Sequence, residues 1–336
     1  MDILRLALER AATAEQALET VTGLLSDHGQ GGICGYEDKK MVYHNSFIMA
    51  DSKEAWVLET AGHLWAAKKV KDYYSISNGL TIGEEYDRSH PGLVDFARKK
   101  GWLKKNEIFS FAKCFSDWFF TTFSASGNRK ECSSKLIKSG IGKIDLKHAF
   151  RVLRDHGTEN YSPYSHFLGD RLCAHAANNL SRNATQTTGS IVAGLKQDEI
   201  TCWATGTSAP CTSIFKPVRF RGEVLPEVSK GLDGKFNSET HWWHHELLHR
   251  SLLLDYETRI KVISRERDEL EDCLIKKAEG LLSGNSYDLT LSAFKQASEM
   301  TDGWIEKVKV VPVNRRPNYI YRKYWEAQNR NAGISL

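Results

Sequence analysis

Between residues 42 and 82 the chain breaks into short apolar runs: SFIMA, AWVLE, LWAAKKV and YYSIS. They are divided by DSKE, TAGH and KD, which are turn-forming. Runs this short, rich in β-branched and aromatic residues and bounded by turn residues, predict strands and not helices. The connections are too short for a crossover helix, so neighbouring strands must run antiparallel. Residues 42–82 are therefore expected to form a hairpin meander. A sheet of this kind has an apolar face that some other layer must cover.

Helices are predicted on both sides of that meander. Residues 2–27 carry Ile3, Leu4, Leu6, Ala7, Leu8, Ala11 and Ala12 near helical period. Thr13 to Gln16 has the shape of a capping box, so a second helix starts there with Ala17, Leu18, Val21, Leu24 and Leu25. Glycines in DHGQGG end it. Residues 84–155 are expected to be mostly helical, in PGLVDFARKKGW, SFAKCFSDWFF and DLKHAFRVLRDHG. Strands return at TTGSIVAGL, EITCWATGTS and SIFKPVRF. Residues 238–282 read as a long helical stretch and 289–301 as another helix. The tail VVPVNRRPNYIYRKYWEAQ shows no clean period. Periodicity alone gives the class α+β. The expected division is 1–236, a helical segment 237–302, and a basic aromatic tail 303–336.

Composition narrows the function classes. No apolar run reaches the ~18 residues a membrane helix needs, and MDILRLALERAATAEQAL has no signal-peptide shape. A cytoplasmic protein is expected. The seven cysteines are scattered and form no C-x-x-C, so neither a disulfide framework nor a zinc ribbon is indicated. The net charge is +4, and residues 305–336, with seven Lys/Arg against Glu306 and Glu326, account for all of it. Arg315, Arg316, Arg322 and Lys323 interleave with Tyr319, Tyr321, Tyr324 and Trp325. Such a mixture can track a nucleic acid or an anionic surface. A domain-packing tail is the commoner outcome, and nucleic acid is not expected as a partner.

HWWHHELLHR, residues 241–250, contains His245-Glu246-Leu247-Leu248-His249, a literal H-E-x-x-H. On a helix this sets two imidazoles one turn apart, ready for zinc, with the Glu as general base. A third ligand is needed, and Glu269 lies at a tempting distance in sequence. Residues 250–269 contain no Gly or Pro. As one helix at 1.5 Å per residue they would put Glu269 about 30 Å away. The expected role of Trp242, Trp243, Leu247 and Leu248 is helix packing, with the histidines facing solvent or partners. A zinc peptidase built on 245–249 stays a minor alternative.

GQGGIC, YHNSFIMADSKEAWVLETAGHLWAAKKV, ISNGLTI, HPGLVDFARKKGW, TTGSIVAGL and SIFKPV occur in this order. Together with WWHHELLHR they resemble secernins, the eukaryotic branch of the cysteine dipeptidase family C69, within the N-terminal nucleophile hydrolases. The resemblance covers most of residues 1–300. It implies a four-layer αββα sandwich and hydrolysis of dipeptides or other small amides, with no metal or organic cofactor. The nucleophile would be a Cys at the mature N-terminus with its own α-amine as base.

The chain departs from that pattern at its start. MDILRLALER resembles an internal segment of relatives, where a preceding part carries the nucleophilic Cys and several strands. The sequence begins Met1-Asp2 and holds no such Cys, so the chain as written is expected to be incomplete at the N-terminus and inactive. Cys34 is a poor substitute, since CGYEDKK reads as a turn. Unpaired sheet edges are expected to make the chain oligomeric. The resemblance implies Asn78 in ISNGLTI as an oxyanion donor at a strand end, although Asn78-Gly79 is also a strong hairpin signal. Thr187 and Thr188 in TTGS are substrate-cleft candidates, or simple sheet formers. His44 is expected to serve surface or packing. The alternative to a peptidase is a non-catalytic secernin-like protein acting in exocytosis or protein interaction.

Overall fold

The computed structural model describes residues 2–32, 44–116, 125–166, 170–178, 180, 185–196, 200–218, 233–280 and 286–336. Cys34 lies outside them. Contacts divide the chain into two units, Met1–Ile141 with Leu195–Gln197, and Gly142–Gly194 with Asp198–Leu336.

In the first unit the meander forms. β1 (Ser46–Ala50), β2 (Ala55–Ala61), β3 (Leu64–Lys69) and a short β4 (Arg88–Ser89) make an antiparallel sheet in that order. Asp51 closes the first hairpin, its Oδ1 accepting from the N–H groups of Lys53 and Glu54 at 2.7 and 3.0 Å. Its Oδ2 accepts from the Ala14 N–H at 2.8 Å. The same carboxylate therefore satisfies a free N–H at the start of a helix, as helix N-termini require.

That helix is α2 (Ala14–His28), preceded by α1 (Asp2–Arg10). Thr13 is its N-cap and accepts from the Gln16 N–H at 3.2 Å. The expected box does not close, because Gln16 Oε1 accepts from Ala12 instead of Thr13. At the far end Gly29 sits at φ +69°, and a Cβ there would meet the His63 ring at 2.7 Å.

Strand β2 is buried on both faces. Trp56 and Leu58 join Leu18, Val21 and Leu25 of α2 on one side. Val57 and Ala61 pack on the other with Ile82, Leu93 and Phe111. Burying a residue such as Leu18 or Leu58 contributes roughly 1.5–3 kcal/mol. The second layer comes from α3 (Leu93–Lys99) and α4 (Phe111–Phe115), whose Phe111 and Phe115 rings stack at 4.9 Å. A longer helix α5 (Ser126–Ser139) follows.

YYSIS, expected as a strand, is irregular. The place beside β3 is taken by Arg88 and Ser89, which pair with Ala67 and Ala66.

In the second unit β5 (Ile191–Leu195), β6 (Ile200–Ala204) and β7 (Lys216–Val218) form a sheet in that order. They match the strands read from the sequence. Trp203, Ile214 and Phe215 turn into the largest apolar cluster of the unit. Helices α6 (Leu146–Leu153), α7 (His241–Leu252), α8 (Tyr256–Gly280) and α9 (Ser286–Lys309) supply the rest of it. The stretch 238–282 is thus two helices. Asp255 sits at the break, accepting from Thr258 N–H and from the Asn314 and Arg315 N–H groups. Among the described residues no helix is long and apolar enough to cross a membrane.

The tail holds a further helix, α10 (Tyr319–Ala332), capped by Asn318 and ended by Gly333 at φ +77°. Tyr321 and Ala332 are buried. Lys307, Lys309, Arg315 and Lys323 pair with Glu266, Glu306, Glu257 and Glu326.

Candidate functional site

Asn78 belongs to the first unit and lies in a bend, not at a strand end. What fixes the bend is Glu59 on β2. It is completely buried, and its carboxylate accepts from the Thr81 N–H at 2.7 Å, the Thr81 hydroxyl at 2.6 Å and the Ile82 N–H at 2.8 Å. Burial raises the Glu59 pKa, against the opposing pull of these hydrogen bonds and of Lys130. A charge placed there is costly unless fully bonded, so the loop is held where those donors are. The Asn78 Oδ1 accepts from Arg129 Nη2 of α5 at 3.3 Å.

Thr187 and Thr188 precede β5 rather than lying on it. Thr187 is used structurally: its Oγ1 accepts from the Ala174 N–H at 3.0 Å, and its own N–H donates to the Ala174 carbonyl at 3.0 Å. Thr188 is exposed, as is His44.

The H-E-x-x-H lies on α7, and here the sequence expectation is corrected. His245 and His249 do not face solvent; they are 4% and 0% exposed. The helix is covered on both sides, by α9 and by the loop 205–213, so no solvated face remains. His245 Nε2 lies 3.2 Å from the Ser213 hydroxyl and 3.2 Å from the Ser208 carbonyl. His249 Nδ1 lies 3.2 Å from the Thr212 hydroxyl. Burial drives both imidazoles down to about 3, so they are neutral. Glu246 is spent on Arg250 at 2.8 Å. Glu269 is exposed on α8 and paired with Arg265, so it does not converge with them. The zinc-peptidase geometry is absent among the described residues.

A Ser beside a neutral His resembles a nucleophile and its base. The surroundings argue against that use. Ser213 donates to the Ser208 carbonyl at 2.8 Å. The adjoining cavity, bordered by Thr207, Thr212, Lys216, His241, His245 and Trp304, has room for about one water. No peptide fits there. Lys216, fully buried, donates to the Thr205 and Ile214 carbonyls at 2.7 and 2.8 Å, and burial lowers its pKa to about 7. These groups fasten the loop 205–216 to α7.

A last cluster was not foreseen in the sequence. His156, Cys173, His175 and Cys211 bring their side-chain N and S atoms within 4.8 Å of one another. Only Cys173 and His175 are neighbours in the chain, and the set follows no familiar ligand spacing, so no sequence signal marks it.

Residues 1–125 match the description "Peptidase family C69". The match takes in α1, α2, the whole meander and the Asn78 bend. This segment is similar to that family. The C69 segment ends before α5, so Arg129, which holds Asn78, lies just beyond it. All of the second unit lies outside the matched C69 residues.

Proposed function

We propose that the chain is part of a secernin-like cysteine dipeptidase of the N-terminal nucleophile type, whose complete fold is a four-layer αββα sandwich. The observation that carries this is the C69 match over residues 1–125, which spans the meander and Asn78. Two small antiparallel sheets together with helices are compatible with an α+β fold. The nucleophile would be an N-terminal Cys on a segment outside this sequence. Its thiolate attacks the amide carbonyl, the α-amine takes the thiol proton, and the Asn78 side-chain N–H donates to the oxyanion. Collapse expels the amine, and water then cleaves the thioester.

The chain as printed is expected to be inactive by itself. β1 and β4 end the first sheet, and association through such edges belongs to the same proposal. Unbridged Cys114, Cys173 and Cys211 support a reducing, cytoplasmic setting.

The test measures amine release from a dipeptide panel. The printed chain should release none. A form extended by an N-terminal segment with a processable Cys should turn over, and Asn78→Ala in that form should lower kcat about 10²–10³-fold. Turnover by the printed chain would remove the inactivity. A folded, processed extended form that cleaves no dipeptide would remove the dipeptidase and favour a non-catalytic interaction protein.

A further inference from the structure

We propose that His156, Cys173, His175 and Cys211 form a structural zinc site in the second unit. Each residue offers one ligand atom, and Cys173, His175 and Cys211 are buried. His156 Nε2 lies 3.2 Å from His175 Nε2. The Cys211 and Cys173 sulfurs lie 3.3 and 3.7 Å from that same nitrogen. With Zn–N near 2.0–2.1 Å and Zn–S near 2.3 Å, the edges of a tetrahedral ligand set are about 3.3–3.8 Å. These three separations fall at or close to that range, and all four ligand atoms lie within 4.8 Å of one another.

The chemistry of the set selects the metal. Two sulfurs and two imidazoles in a tetrahedral arrangement suit zinc, whereas magnesium and calcium need oxygen. Two thiolates and two neutral imidazoles cancel the charge of Zn²⁺, so the loaded site is neutral and can be buried without a counter-ion. No carboxylate enters the cluster. His175 is 2% exposed, and its Nδ1 has no hydrogen-bond partner among the described residues. All of the ring's polar contacts are therefore made by its Nε2. A Cys173–Cys211 disulfide would use two of the four groups and leave the imidazole nitrogens facing each other at 3.2 Å.

The outer contacts support the ligands, as metal sites require. The Tyr256 ring lies edge-on to the His156 and His175 rings at 5.9 and 5.4 Å. The His156 ring stacks on Tyr161 at 4.0 Å. Arg267 donates to the Cys211 carbonyl. Four protein ligands leave no open position, which makes the site structural, not catalytic. It would staple three chain segments, after α6, at 173–175 and at 211, around the start of α8. The sequence reading implied no metal, because ligands at positions 156, 173, 175 and 211 match no zinc motif.

The test uses the full chain, expressed without added metal. Elemental analysis should find about one zinc per chain. Cys211→Ser and His156→Ala should lower it to a small fraction, while Cys273→Ser, at an exposed position, should leave it unchanged. Because the first two variants can fail to fold, wild type carries a second readout. Its buried thiols should resist a thiol reagent until a chelator strips the metal, and Co²⁺ exchanged into the protein should show a thiolate charge-transfer band. Wild type that is zinc-free and takes up neither Zn²⁺ nor Co²⁺ would overturn the site. So would a Cys173–Cys211 disulfide found by mass spectrometry, or a Co²⁺ spectrum unchanged in folded Cys173→Ser.

Discussion

The two units handle buried polarity in opposite ways. In the first, a fully buried carboxylate, Glu59, is wrapped by N–H and O–H donors and fixes a loop. In the second, bases are the theme: the buried His245, His249 and Lys216 and the half-buried His241 are all pushed down by desolvation. The family signal lies on the first unit and the dense buried chemistry on the second. A family match can thus follow how strands and helices pack, while groups of unusual chemistry gather elsewhere. The first unit is organised around apolar faces of a sheet, which a linear pattern encodes. The second is organised around a loop, 205–216, held by side chains of α7 and α8 and by Arg154 just after α6.

The largest break in that comparison should come from the ion pair under the loop. Arg154 donates to both oxygens of Glu271 at 2.8 and 2.6 Å and also to the Pro210 and Ser213 carbonyls. Glu271 in turn accepts from the Phe215 N–H at 2.7 Å. Glu271→Ala strands a buried guanidinium and should cost about 3–5 kcal/mol, read by chemical denaturation. Arg154→Met with Glu271→Leu should recover much of it. If the double variant is as unstable as the single one, the pair's worth lies in the loop hydrogen bonds and not in the stranded charge.

Acid should separate the units next. His245 has its folded pKa lowered to about 3 from 6.5. Its neutral form is favoured in the fold, so that stability is present above about pH 6.5 and is lost as pH falls toward 3. By pH 4 the loss is on the order of 2–3 kcal/mol. Glu59 has the opposite sign. Its folded pKa is raised from 4.5, so its contribution is fully present below about pH 4.5 and is lost as pH rises through the folded value. Hydrogen exchange by mass spectrometry between pH 7 and 4 should show amides of 241–252 losing protection while those of 55–61 and 81–82 hold or gain. Glu59→Gln should flatten the first-unit response. Parallel loss in both segments would sink the contrast.

How much of this the sequence disclosed follows the same division. β1, β2 and β3 were legible because apolar runs and turn residues are local signals, and Asp51 closes a turn within its own hairpin. YYSIS misled because it has strand composition, yet the edge of β3 is filled by Arg88 and Ser89, whose propensity is poor; tertiary pairing overrode it. The tail helix was missed although Asn318 and Gly333 mark its ends, because its aromatic and basic residues face several partners at once. Trp325 reaches the Ala176 carbonyl and packs under Arg250. The sequence assigns the histidines of α7 to solvent or partners because a pair of tryptophans and leucines suffices for one apolar face; the hydroxyl-rich loop covering the other face is some thirty residues away in sequence. The resemblance singles out Asn78, but Glu59, which fixes its loop, and Arg129, which donates to it, lie outside its motif and carry no sequence signal.

Smaller effects sharpen the picture in the first unit. Asp51→Ala removes two turn bonds and the bond to Ala14 N–H. Loss of a helix cap typically costs about 1 kcal/mol, and the turn adds a similar amount. Urea denaturation should show a loss of about 1–2 kcal/mol, with Asp51→Asn recovering part of it. The three N–H donors lower the Asp51 pKa, the Ala14 bond most of all. This stability is present above the ordinary carboxylate pKa and fades as pH falls through the lowered one. No change in Asp51→Ala would mean that the hairpin and α2 are fixed by their apolar contacts alone.

The smallest effect is expected where charge is most abundant. Lys309 and Glu306 stand three residues apart at the end of α9, with side chains 58% and 72% exposed. Water screens such a pair, and holding two long side chains in one geometry offsets the attraction. Lys309→Ala should therefore change stability by less than about 0.5 kcal/mol, in low or high salt. Trp325→Ala, in the same basic tail, should cost several times more, since it removes a ring packed against Tyr321 and Arg250 and a hydrogen bond to Ala176. That ordering separates two accounts of the tail. If Trp325 matters and Lys309 does not, the tail is attached through its aromatic residues, and its charge is a solvated covering. If the order is reversed and the Lys309 effect vanishes in salt, the positive charge itself holds the segment, and the tail then resembles the ion-paired loop of the second unit more than its apolar core.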